Sequence, residues 1–172
     1  MGLASELGYA PGPRNFMHRF VASVMSTRVG AWLAYHLAQR LDRGVSKLSK
    51  GRATVSGWAV GVPPVWVTTT GAKSGLKRRT PLFGIPFGDD GLGLVGTSMG
   101  QAATPSWVFN LSANPDCEVS LNGSLLEARA RLASGDEEDE IWDSSFALYP
   151  GFREYRQRVT NRTVGLFVLE PR

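Results

Sequence analysis

A chain of 172 residues with 42% hydrophobic and 20% charged positions has the size and balance of one globular domain with a real core, which excludes the disordered class. Its single cysteine, Cys117, excludes a disulfide framework and a cysteine-based zinc site, so no metal is expected and a reducing cytoplasm is the natural compartment. No run approaches the roughly 18 apolar residues of a membrane span, and MGLASELGYAPGPRNF at the start lacks the apolar core of an export signal.

The net charge of +4 is unevenly spread: Arg43 to Gly88 contains no acidic residue but carries Arg43, Lys47, Lys50, Arg52, Lys73, Lys77, Arg78 and Arg79. Acidic residues gather in SGDEEDEIWD, Ser134 to Asp143. A basic middle of this kind is expected to face an anion.

In chain order, Met17, Phe20, Val21 and Val24 recur at helical spacing, and Leu33, Leu37 and Leu41 repeat it after Gly30, predicting two helices or one broken helix before residue 43. From Val65 the texture changes to short β-rich runs bounded by Gly and Pro: VWVTTT, TPLFGIPF, GLGLVGTS, CEVSLNG, LLEARARL and VGLFVLE, about six strands. Between the third and fourth runs, TPSWVFNLSANP predicts a helix with Thr104 as cap, Pro105 in the first turn and Pro115 as terminator. SGDEEDEIWDSSFALYP predicts another, capped by Ser134 or Asp136, with carboxylates favoured in its first turn. A short helix is expected after Gly151. FGDDGLG and LNGSL read as hairpin turns. Short connections imply antiparallel neighbours, and an antiparallel sheet of this size avoids open edges by closing fully or partly into a barrel. The expectation is mainly β with helices (α+β), one domain over 1–172, with a helical extension at 1–50 and a barrel at 51–172.

The densest cationic stretch, TTTGAKSGLKRRTPL, is not a P-loop, because Ala72 stands where that motif requires Gly and no helical pattern follows Ser74. No G-x-G-x-x-G lies between a strand and a helix, which removes the Rossmann reading. What remains is a turn whose backbone N–H groups and cations suit a phosphate or a carboxylate. Nucleic acid is not the expected partner, since Trp32, Trp58, Trp66, Trp107 and Trp142 are scattered on apolar runs and the charge excess is small.

Three segments together, VTTTGAKSGLKRRTPLFGIP, LVGTSMGQAATPSWVFNLSANPDCEVSLNG and YPGFREYRQRVTNRTVGLFVLEP, resemble the deazaflavin-dependent nitroreductase family of actinobacteria in order and spacing. The N-terminal helical segment is similar to the extension of its quinone-reductase-like branch. The resemblance implies a split β-barrel of about six antiparallel strands that binds coenzyme F-420, an 8-hydroxy-5-deazaflavin with a phospholactyl-polyglutamate tail. The family's tail-binding positions fall on Ala72, Lys73, Ser74, Arg78, Arg79, Thr80 and Pro81. Ring and ribityl positions fall on Gly96, Thr97, Ser98 and Met99, and on Ser106, Trp107, Val108, Phe109 and Asn110. Ala72, Met99 and Val108 depart from residues common in the family. Tyr149 and Tyr155 match aromatic positions near the substrate pocket, whereas Phe152 stands where some members have Tyr, removing a hydroxyl and weakening the implication of nitroimidazole reduction.

The implied activity is hydride transfer from reduced F-420 to a quinone, a nitroaromatic or an activated alkene. The hydride chemistry belongs to the cofactor, so no triad is expected; His18 and His36 read as helix histidines. Ser98, Tyr149 and Tyr155 are the candidates for proton donation or substrate contact. Rival readings are an FMN- or NADPH-using reductase on the same fold and a non-enzymatic carrier of lipid or haem. Phe16, Phe20, Trp32 and Tyr35 beside Arg14, Arg19, Arg28 and Arg40 raise a further expectation, peripheral contact with an anionic membrane.

Overall fold

The computed structural model describes residues 2–11, 15–33 and 61–172. The boundary expected at residue 50, the helical positions Leu37 and Leu41, and Arg14, Tyr35, His36, Arg40 and Trp58 lie outside the described residues.

Among the described residues, seven strands form a single antiparallel sheet: β1 Val65–Thr70, β2 Lys77–Leu82, β3 Ile85–Phe87, β4 Gly91–Val95, β5 Asp116–Leu121, β6 Ser124–Leu132 and β7 Leu166–Pro171. Their spatial order is β2-β1-β5-β6-β7-β4-β3. The count exceeds the sequence reading by one because TPLFGIPF is two strands. The chain breaks at Phe83 and Gly84, where a Cβ on Gly84 would lie 2.8 Å from a Leu92 methyl and 3.2 Å from the Tyr9 ring, and where the Gly84 carbonyl accepts the Tyr9 hydroxyl at 2.9 Å.

This two-residue joint connects strands at opposite ends of the sheet order. Three Cα steps span about 11 Å, whereas the edges of a flat seven-stranded sheet stand about 29 Å apart. The sheet must therefore curl until its edges approach, which makes it an open-seamed barrel. The LNGSL turn is the sharp hairpin expected, with Asn122 at φ 51° and Gly123 at φ 100° between β5 and β6.

Among the described residues, six α-helices surround the sheet: α1 Leu3–Glu6, α2 Phe16–Ser26, α3 Arg28–Leu33, α4 Ser106–Ala113, α5 Asp136–Leu148 and α6 Gly151–Arg158. Helix α1, too short to show a period, is capped from a distance: the Asp90 carboxylate in the β3–β4 turn accepts from the N–H of Gly2, from the N–H of Ser5 at 2.8 Å and from its hydroxyl at 2.7 Å. Helix α2 has Asn15 as N-cap, accepting from His18 N–H at 3.0 Å. Pro105, rather than Thr104, occupies the N-cap of α4. Gly135 takes that position in α5, while Glu137 accepts from the Ser134 N–H at 3.1 Å.

The core has two sides. Val65, Val67, Leu92, Leu94, Val119, Ala128, Phe167 and Leu169 pack with Leu3, Trp107 and Leu111 inside the curl. Ile85, Leu166 and Val168 pack with Ile141, Trp142, Tyr149, Phe152 and Tyr155 outside it. Strand β7 is buried on both faces from Leu166 to Leu169, which explains its unbroken apolar run. Arg131 on β6 ties these layers together, with Nη1 and Nη2 on the Glu137 carboxylate at 2.7 and 2.6 Å and Nε on Glu170 at 2.7 Å.

Two outcomes follow. Ile141, fully buried and in contact with Gly93, should cost about 2–5 kcal/mol when replaced by Ala, read as a lower denaturant midpoint at unchanged slope. The Arg131 hydrogen bonds hold the Glu137 carboxyl down at about 2. Its stabilising contribution is therefore present above the ordinary carboxylate range and lost as pH falls toward that value. The stability gap between wild type and Glu137→Gln should be open at neutral pH and closed in acid, measured by urea unfolding across that range.

Candidate functional site

Strand directions decide which turns share one end of the barrel. Along β1-β5-β6-β7-β4 every neighbour is antiparallel, so β1 and β4 run the same way. The turn after β1, Gly71–Leu76, and the turn after β4, Gly96–Gln101, therefore leave from the same end, and β5 and β7 begin there. Helix α4 and the segment 159–165 are consequently at this mouth.

The first turn is closed by Gly71 N–H on the Leu76 carbonyl at 2.9 Å and Gly75 N–H on the Gly71 carbonyl at 2.8 Å. Gly75 has φ 67°, a left-handed conformation suited to glycine. Asn110 of α4 anchors the turn: its Oδ1 accepts from Ala72 N–H at 3.0 Å, and its Nδ2 donates to the Thr69 hydroxyl at 2.9 Å. Lys73 and Ser74 project from this anchored turn and are exposed.

Register divides the cations, which the sequence presents as one cluster. Paired residues share a face, so Arg78 and Thr80, opposite Thr69 and Val67, stand on the inner face with Asn110. Lys77, Arg79 and Pro81, opposite Thr70, Thr68 and Trp66, stand on the outer face. There Lys77 pairs with Glu118 at 3.1 Å, and the Arg79 guanidinium lies 4.5 Å over the Trp66 ring and donates to Ser120 at 3.4 Å. Among the described residues Lys73 and Arg78 have no acidic partner.

The second turn is wound left-handed. Ser98, Met99 and Gly100 have φ 53°, 54° and 76°, a conformation that costs L-residues energy and persists where surroundings enforce it. Thr97 is buried and Ser98 and Met99 are half-buried, with Met99 packed on the aromatic layer. Arg162 enforces the turn from the far side: Nη1 donates to the Gly96 carbonyl at 3.0 Å, and Nη2 to those of Thr97 at 3.1 Å and Gln101 at 3.4 Å.

Helix α4 joins the two turns. Asn110 holds the first, and Val108 fills the space beside Gly96 and Gly165, where a Cβ would meet its methyls at 2.8 and 3.0 Å. Trp107 packs on Phe167 with ring centroids 5.8 Å apart, inside the core. Ser106 and Phe109 are exposed. Lys73, Ser74, Arg78, Thr80, Gly96 to Met99, Ser106 and Phe109 are thus brought to one end of the barrel, with Trp107, Val108 and Asn110 behind them as support.

Tyr149 and Tyr155 lie under α2. Their hydroxyls are 3.1 Å apart, donating to the carbonyls of Ala22 at 3.4 Å and Met25 at 3.2 Å respectively. Burial pushes both phenols above their ordinary range, so they stay neutral near pH 7. Phe152 sits against both rings, at centroid distances of 5.9 and 6.2 Å, in an apolar place where a hydroxyl would need a partner. Arg158 completes the contact, its guanidinium donating to the Ser26 carbonyl at the end of α2, where a cation is favoured. Neither Arg158 nor Arg162 is visible as functional from spacing: each acts on backbone more than 60 residues away.

Comparison with known proteins gives this arrangement a family context. The sequence model of the family described as F-420H(2)-dependent quinone reductase matches residues 40–171. An F-420H(2)-dependent quinone reductase of Mycobacterium tuberculosis is 34% identical over 118 residues, covering 66% of this chain and 78% of that protein. A solved F-420-H2 dependent reductase, FDR-A, is 35% identical with a TM-score of 0.56, over 62% of this chain and 93% of its own. A second structure, described as a domain-swapped dimer, is 30% identical with a TM-score of 0.58, over 81% and 98%.

Asn110→Ala should cost about 1–3 kcal/mol, because it removes the acceptor of the Ala72 N–H and one of the two partners of the buried Thr69 hydroxyl. The local consequence is faster tryptic cleavage at Lys73, measured against an unchanged rate at sites in β6.

Proposed function

Because the chain belongs to the F-420H(2)-dependent quinone reductase family, we propose that it reduces quinones with a hydride taken from reduced coenzyme F-420, with nitroaromatics and activated alkenes as further acceptors. The observation that carries this reading is the match over residues 40–171, a range that holds all seven described strands and both turns of the barrel mouth.

The donor set fits such a group. A phosphate and a chain of carboxylates need separated cations without competing acids, and Lys73 on the turn and Arg78 on the inner face meet that requirement, with Ser74 and Thr80 beside them. Arg79 and Pro81 support β2 from its outer face. A flat ring needs apolar walls and a few fixed polar groups, for which Gly96, Thr97, Ser98 and Met99 with Ser106 and Phe109 are proposed. Trp107, Val108 and Asn110 fix α4 behind them. When bound, the deazaflavin supplies a hydride donor.

A quinone that accepts a hydride becomes a hydroquinone anion and needs a proton. Ser98 is the proposed donor or relay, since its hydroxyl makes no hydrogen bond among the described residues. Tyr149 and Tyr155 are proposed as the polar edge of the acceptor pocket, reached when α2 shifts from their hydroxyls.

Peripheral contact with an anionic membrane is the second part of the proposal. Phe16, Met17, Phe20, Val24, Val29, Trp32 and Leu33 are exposed on α2 and α3, residues 16–33 carry Arg19 and Arg28 and no acid, and no helix among the described residues is long and apolar enough to cross a bilayer. A helix pair of this kind suits the interface, where lipid quinones reside.

Mixing the protein with reduced F-420 and menadione, and following the return of oxidised-cofactor absorbance, tests the activity; no turnover with any quinone would overturn it, as would tighter binding of FMN or NADPH than of F-420. Lys73→Ala and Arg78→Ala should each weaken F-420 binding roughly tenfold, at about one charge-assisted contact per side chain. Lys77→Ala should leave it unchanged, and a deazaflavin without the tail should not distinguish these variants. Sedimentation with anionic vesicles should be lost in high salt and in Phe16→Ser/Phe20→Ser.

A further inference from the structure

We propose that Arg162 is a positioning residue for the cofactor: by gathering the carbonyls of Gly96, Thr97 and Gln101, it turns the N–H groups of Thr97 and Ser98 into a fixed pair of donors for an oxygen atom of the bound ring. The inference rests on the F-420 reading and extends it to a residue outside the cofactor segments.

The argument follows from peptide geometry. A trans peptide is planar, with its C=O and N–H antiparallel. The Gly96 and Thr97 carbonyls point at the Arg162 guanidinium at 3.0 and 3.1 Å, so the N–H groups of Thr97 and Ser98, in the same two peptide units, point away from it. Among the described residues neither N–H has an acceptor. Thr97 is right-handed at φ −73°, ψ −22° and Ser98 left-handed at φ 53°, the alternation that makes successive N–H groups converge on one electronegative atom.

Arg162 is suited to hold this geometry. A guanidinium presents donors in a rigid fork, and here its two terminal nitrogens serve three carbonyls of one turn. Arg162 Nε is buried with no partner among the described residues, and burial lowers the guanidinium pKa. Such a costly placement is offset by the charge-assisted bonds to the turn, which in turn hold Ser98, Met99 and Gly100 left-handed.

The test compares wild type with Arg162→Lys and Arg162→Gln by F-420 titration, by KM for reduced F-420 and for menadione, and by melting. Lysine keeps the charge but cannot span three carbonyls. Arg162→Lys should raise Kd and KM for F-420 roughly tenfold or more, with KM for menadione unchanged. A merely structural role predicts a lower melting temperature and a smaller active fraction with unaltered Kd, and that result would overturn the proposal. Amide NMR of the wild type is the second measurement: F-420 should shift the Thr97 and Ser98 N–H resonances downfield, and their indifference at saturation would overturn the proposal even if the variants fail to fold. If wild-type protein does not bind F-420 at all, the cofactor reading falls with this one; if it binds and Arg162→Lys binds equally well, this inference alone falls.

Discussion

The joint at Phe83 and Gly84 constrains everything else in the molecule. Strands β2 and β3 lie at opposite edges of the sheet order yet are neighbours in the chain, so the sheet has to curl. Curling creates an inside lined by Val65, Val67, Leu92, Leu94 and Phe167, and a mouth where the turns after β1 and β4 leave the sheet from one end and are joined through α4. Without that curl, Lys73 and Ser98 would sit on turns that leave strands four places apart in the sheet order.

At the mouth, rigidity comes from polar side chains that reach backbone. Asn110 fixes one turn and Arg162 the other, and α4 couples them through Asn110 and Val108. This arrangement leaves Lys73 and Arg78 without an acidic partner among the described residues beside an ordered scaffold, which suits an elongated polyanion better than a mobile basic loop would, because fewer side chains must be ordered on binding. On the outer aromatic layer, Tyr149, Tyr155 and Arg158 collect the last carbonyls of α2. Helix α2 is thereby latched to the barrel by hydrogen bonds as well as by Ala22, while Phe16 and Phe20 remain outside.

Much of the fold was legible locally. Alternating apolar runs marked the strands, Asn122-Gly123 marked its hairpin, and the acidic first turn marked α5, because each depends on residues within a few positions. The joint at Gly84 was not legible, since TPLFGIPF is uniformly strand-like and the break depends on Leu92 and Tyr9. The candidate site divided in the same way. The basic stretch was conspicuous, but its separation into an inner Arg78 and an outer Arg79 depends on pairing with β1. Trp107 and Val108 match a cofactor pattern in sequence, but their burial against Phe167 and beside Gly96 and Gly165 depends on strands distant in the chain. Arg162 looked like any loop arginine, because its partners lie more than 60 residues away.

The central claim is that one end of the barrel holds coenzyme F-420, with its tail on the inner face of β2 and its ring at the turn after β4. A crystal structure of the complex tests it most directly. The account predicts the tail phosphate and carboxylates within hydrogen-bonding distance of Lys73 and Arg78, and a ring oxygen facing the N–H groups of Thr97 and Ser98. A tail lying along the outer face beside Lys77 and Arg79, or a ring at the opposite end of the barrel, would contradict it.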